Sequence, residues 1–95
     1  MNANYETLLQ ANRDLHKTEN GHVAINVPEA GNCTIVMYDA LGRYVQTLLD
    51  HEVQKGTLRL EFTKNVEYGG YFIVIATRNS LQVKPIVIVE KETVH

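Results

Sequence analysis

The sequence predicts an all-β antiparallel sandwich, and three observations carry that expectation. Runs rich in Val, Ile and Thr recur from His22 onward, and these β-branched residues suit a pleated, half-buried surface better than a helix. Several runs alternate apolar and polar residues with the period of two that a sheet with one buried face requires. Turn signals separate them at the short, regular spacing of an all-β domain.

The elements follow in order. His22–Val27 reads as a strand with Val23, Ile25 and Val27 on one face, ended by Pro28-Glu29-Ala30-Gly31. Cys33–Asp39 places Cys33, Ile35 and Met37 on one face and Thr34, Val36 and Tyr38 on the other, the pattern of a central strand. Asp39-Ala40-Leu41-Gly42 has Asp first and Gly fourth, as in a type I turn, and Gly42 can supply positive φ to a bulged hairpin. Arg43–Val53 returns, but its apolar residues change parity between Val45 and Leu48, which predicts a one-residue bulge. Lys55-Gly56 turns the chain into Thr57–Thr63, with Leu58, Leu60 and Phe62 facing in. Gly69-Gly70 launches Tyr71–Thr77, apolar on both faces. Asn79-Ser80 then makes a hairpin turn into Leu81–Glu90. Pro85 has no N–H for a ladder, so it marks an edge or a bulge in that last strand.

Residues 1–20 form an arm or a first strand ahead of a sandwich domain over residues 21–95. Tyr5, Leu8, Leu9, Asn12 and Leu15 lie at helical spacing, and Asn4 could cap such a helix. The preferred reading is a strand or irregular arm over about Leu9–Lys17, giving the sandwich its seventh strand. The predicted fold class is therefore an immunoglobulin-like antiparallel β-sandwich of six or seven strands.

Composition bounds the partners. The 95 residues are 44% hydrophobic and 21% charged, which is globular and far from the disordered class. A net charge of −2 provides no basic field for nucleic acid or an anionic membrane. No stretch approaches the roughly 20 apolar residues of a membrane helix, so no integral membrane segment is expected. The one cysteine, Cys33, cannot form an intramolecular disulfide, and the fold must rely on its core. Met1–Gln10 lacks the basic and apolar regions of a signal peptide. The chain is thus expected to be cytoplasmic, or a mature or excised piece of something longer.

The run from Val27 through Pro28-Glu29-Ala30-Gly31 to Tyr38-Asp39-Ala40-Leu41-Gly42-Arg43 resembles the type IX secretion C-terminal sorting domain. That family, and the related immunoglobulin-like domain of flagellar hook-capping proteins, shows a "PEAGxxxxxVYDxLGRxV" pattern. Leu48-Leu49-Asp50 and Lys55-Gly56-Thr57 fit its next strand and hairpin. Gly70-Tyr71-Phe72-Ile73-Val74 resembles its "GxYFxxV" strand, and Lys84–Lys91 its closing strand. The resemblance covers roughly residues 21 to 91. Where the family opens with an Asn-Pro-rich segment, Asn12-Arg13-Asp14 has no proline. Small secreted β-sandwich domains of gut Bacteroidetes share the same hairpin grammar.

The resemblance implies a domain that marks a secreted cargo for export across the outer membrane by way of the periplasm, leaving it secreted or at the cell surface. Its partner would be a protein of the secretion machinery or a surface component. The carried-over recognition candidates are Gly42, Arg43, Lys84 and Lys91. Tyr44 joins them from its own chemistry, since tyrosine beside arginine at a hairpin tip is a common interface anchor. The alternative is a free-standing secreted or periplasmic sandwich that binds a protein or glycan. Dimerisation through an edge strand is a further route to a partner, with the apolar segment Pro85–Glu90 as that edge.

Catalysis and cofactors are not expected. Asp50-His51-Glu52 groups three potential metal ligands, but neighbours on a strand point to opposite faces and cannot converge on one ion. His16, His22 and His95 stand at no recognised metal spacing. Ser80 is the only serine and has no nearby base, and Cys33 on an inward face reads as inert. No glycine-rich phosphate loop and no paired-carboxylate motif is present.

Overall fold

The computed structural model describes residues 16–19 and 21–89. Its seven strands are β1 (His16–Glu19), β2 (His22–Val27), β3 (Gly31–Asp39), β4 (Tyr44–Val53), β5 (Gly56–Glu61), β6 (Gly69–Thr77) and β7 (Leu81–Val89). Five form one sheet in the order β1-β7-β6-β3-β4, and β2-β5 form the other. The run β7-β6-β3-β4 opposite β2-β5 is the layout of an immunoglobulin sandwich, whose last two strands share a sheet with its third. Every pairing is antiparallel except β1 with β7, which is parallel.

The inward rows of β2 and β3 are those the alternation predicts, and β6 and β7 add rows that the sequence did not assign to a face. Val23, Ile25 and Val27 of β2 meet Cys33, Ile35 and Met37 of β3, Ile73 and Ile75 of β6, and Ile86 and Ile88 of β7. Val27, Ile35, Met37 and Ile73 are fully inaccessible to solvent. Burying a side chain of this size stabilises the fold by about 1.5–3 kcal/mol each. β5 contributes Leu60, while Leu58 and Phe62 pack at the core margin. Its strand ends at Glu61, so Phe62 and Thr63 lie beyond it.

β4 departs from the expectation of one bulge. Leu49 pairs with Ile35 and Thr47 with Val36, then Gln46 with Met37 and Tyr44 with Tyr38. Leu48 and Val45 are therefore both extra residues. The Leu48 bulge brings Gln46 and Leu49, three positions apart, onto the same buried face.

The outward face of the five-stranded sheet is also apolar. One row crosses it as Tyr44, Tyr38, Phe72 and Pro85, and the next as Thr47, Val36, Val74 and Val83. β6 sits in the middle of its sheet, as the apolar pattern suggested. Yet Phe72 and Val83 remain exposed, because no described element lies over this face.

The first strand left open by the sequence is β1, although the earlier part of the expected arm lies outside the described residues. β7 pairs with β6 from Leu81 to Ile88, while β1 covers its other side only from Ile86 to Val89. Pro85 stands immediately before the first described β1–β7 pair, His16 with Ile86. The apolar closing segment is therefore mostly an inner strand, covered by the chain itself.

Candidate recognition surface

The β3–β4 hairpin tip is organised by one carboxylate. Asp39 Oδ1 accepts the backbone N–H of Leu41 and of Arg43, both at 2.9 Å, and Oδ2 accepts Arg43 Nε–H at 2.8 Å. The Gly42 N–H donates to the Asp39 carbonyl, and the Asp39 N–H to the Arg43 carbonyl, each at 2.9 Å. Gly42 takes φ +83° with open space where a Cβ would stand, so backbone conformation and not crowding calls for glycine. The Arg43 N–H bond, followed by the bonds from the Arg43 side chain and from Leu41, holds the Asp39 carboxyl below its usual range against a smaller opposing effect of burial.

This web fixes what the tip displays. Leu41 is 77% exposed, and Arg43 projects into solvent although paired with Asp39. Tyr44 is exposed and stands edge-on to Tyr38, with ring centroids 6.4 Å apart, and its hydroxyl shares a 2.9 Å hydrogen bond with Thr47 Oγ1. Edge-to-face packing tethers the ring at the sheet surface.

The predicted residues divide. Gly42, Arg43 and Tyr44 come together at the tip, beside edge strand β4. Lys84 lies on β7, on the far side of β3 and β6, about 14 Å away at three strand spacings. Its Nζ donates to the Ala24 carbonyl at 3.2 Å, spanning the two sheets. Lys91 lies outside the described residues.

Sequence reasoning missed three polar devices. Gln46 is buried, and its Oε1 accepts the Thr63 N–H at 2.7 Å and the Thr63 hydroxyl at 2.9 Å, while its Nε2 donates to the Lys64 carbonyl. It ties β4 to the chain leaving the other sheet. Glu29 clasps the β6–β7 turn: Oε2 accepts the Thr77 hydroxyl at 2.7 Å and the Asn79 N–H at 3.1 Å, and Oε1 accepts Asn79 Nδ2. The Thr77 bond first, then those from Asn79, lowers its pKa. Tyr71 donates its hydroxyl to the Glu67 carbonyl at 2.6 Å, and burial pushes that hydroxyl's pKa up. A tyrosine at the start of this strand bonded a few residues upstream is the tyrosine corner of immunoglobulin-type sandwiches, and its position was the available signal.

Other reactive groups are occupied or enclosed. Ser80 Oγ shares a 2.7 Å bond with Thr77 Oγ1. Cys33 is buried, and desolvation raises its thiol pKa. Asp50 accepts the Thr34 hydroxyl, and His51 Nδ1 pairs with the Glu52 carbonyl. Among the described residues no cluster of three His, Cys, Asp or Glu side chains could hold a metal, and no helix is long and apolar enough to cross a membrane.

Fold and surface together define an immunoglobulin-like sandwich domain that presents a stiffened hairpin. The model of the secretion system C-terminal sorting domain family matches residues 19–89, and the chain belongs to that family, the sorting domains of type IX secretion. Membership implies interaction with the secretion machinery and export to a secreted or cell-surface location. No curated protein and no solved structure matches the chain.

Proposed function

We propose that this domain is a non-catalytic export tag: joined to a cargo protein, it travels through the periplasm and is read by a protein of the type IX machinery at the outer membrane. The β3–β4 tip is the surface assigned to that reading. The observation that carries it is the Asp39 web, which holds the backbone of Leu41 and Arg43 in one arrangement before any partner arrives, with Tyr44 held beside them by Tyr38 and Thr47. A preorganised tip loses little conformational freedom on binding, so its exposed anchors contribute more of their contact energy. The non-catalytic part is supported by the engaged Ser80 and the enclosed Cys33.

The test fuses the full chain behind a signal peptide and a reporter in a type IX-competent bacterium. The reporter is expected in the medium or on the cell surface; retention in the periplasm overturns the export role. Leu41→Ser, at a side chain with nothing packed over it, is expected to lower export about tenfold without changing the melting temperature. Unchanged export in that variant moves the contact away from the tip.

A further inference from the structure

Five of the six glycines have positive φ, and Gly70 alone does not. A Cβ added at Gly70 would meet nothing within 4 Å beyond its own chain neighbours. Among the described residues, then, neither backbone conformation nor crowding calls for glycine at this place. No aromatic ring lies across it either, the usual compensation when a strand carries a bare position. Glycine inside a strand weakens it and leaves no side chain to pack. The use that remains for glycine in a sheet is close approach by something from outside.

Gly70 is exposed on the outward face of the five-stranded sheet, since Tyr71 and Ile73 of the same strand turn toward the core. Phe72 stands two positions along β6, and Val87 is the cross-strand neighbour, so apolar side chains border the bare spot. It opens onto the two rows that begin with Tyr44 and Thr47. Neither row holds a charged residue, in a chain of which 21% is charged. A charged partner group would lose water here and gain no counter-charge, so an apolar one fits. Asp39 pairs with Tyr71, which puts Gly70 beside the root of the hairpin tip, one strand away. Tip and face are one continuous surface. The two rows span about 19 Å by about 14 Å, or about 270 Å². A stable interface buries about 800 Å² on each partner. Two copies stacked on this face alone fall well short of that, whereas a partner that also grips the tip covers more.

We propose that the protein reading the tip also lays an uncharged, apolar loop along this face, with a bulky apolar side chain seated on Gly70 between Phe72 and Val87. This contact rests on the proposed export role and extends the tip surface across β3, β6 and β7. The bare backbone lets the partner's atoms come nearer than a side chain would allow, and dispersion attraction falls steeply with distance. The flanking ring and branched side chain fix where the inserted group sits.

Gly70→Thr is the decisive variant, because the negative φ and the open space admit a β-branched residue that suits a strand. In the reporter fusion it is expected to lower export about tenfold. The urea midpoint of the full chain is expected to stay the same or rise. Gly70→Ala, one methyl group larger than glycine, is expected to lower export about threefold, and it alone decides if the threonine variant does not fold. Retention of the parent fusion in the periplasm removes the export role itself. Export of the parent with the Gly70 variants unchanged overturns only the contact at Gly70. Lower export together with a lower urea midpoint makes the glycine structural and also overturns it. A Gly70→Cys chain, in which the buried Cys33 does not compete, is expected to react with a maleimide at the rate of a free thiol. Slow labelling at every dilution would assign the spot to the chain's own residues, and labelling that slows with protein concentration would assign it to a second copy. Either result overturns the proposal.

Discussion

Two carboxylates fasten this sandwich, one at each end, over very different distances along the chain. Asp39 serves the amides two and four positions ahead of it, within one hairpin. Glu29 serves Thr77 and Asn79, 48 and 50 positions away. Both accept several bonds, and both have pKa values lowered by those bonds. The local web shapes a turn that an unfolded chain can already sample, so its loss changes the tip more than the balance between folded and unfolded states. The long-range clasp exists only once β2, β3, β6 and β7 have come together. Its loss is therefore felt by the whole fold.

Gln46 sharpens the contrast, because it is long-range like Glu29 and also buried. Gln46→Ala strips the Thr63 N–H and the Lys64 carbonyl of their partner, and is expected to cost about 2 kcal/mol in urea denaturation. A cost below about 0.5 kcal/mol would mean that water replaces the amide freely. Next in size, Glu29→Ala is expected to lower the urea midpoint more than Asp39→Ala. The latter instead speeds amide exchange at Leu41 and Arg43. The reverse order breaks the comparison.

The smallest effect is on pH dependence. Folding lowers both carboxyl pKa values, so each contribution is complete above the ordinary values of 4.5 for Glu29 and 3.8 for Asp39. Each is lost as pH falls through the lowered folded value. Across that fall, Glu29→Ala is expected to lose less stability than the parent chain, read as urea midpoint against pH. Equal slopes would place the acid sensitivity in other groups.

The same contrast explains what the sequence made legible. Asp39, Gly42 and Arg43 lie within five positions, so turn type, positive φ and exposed tip could all be read from the residues themselves. The inward faces of β2, β3 and β5 were legible because alternation is a local pattern, whereas β6, apolar on both sides, gave no such cue. Glu29 looked like an ordinary loop residue, since its partners lie on a hairpin half the chain away. The second bulge in β4 is defined only by its register against β3. Gln46 interrupts an otherwise apolar face, and nothing nearby announces the Thr63 amide that makes it acceptable there. Lys84 was read as an exposed recognition residue because its reach to Ala24 depends on how the two sheets stack.

The parallel ladder between β1 and β7 has a mechanical consequence. The chain enters β1 at one end of the shared ladder, and β7 leaves at the other. Tension between the two would slide these strands lengthwise past one another. All the slanted bonds of the ladder would carry that load together and not open one after another. A domain towed by one terminus while held by the other thus resists at this seam, where four residue pairs join the two strands among the described residues.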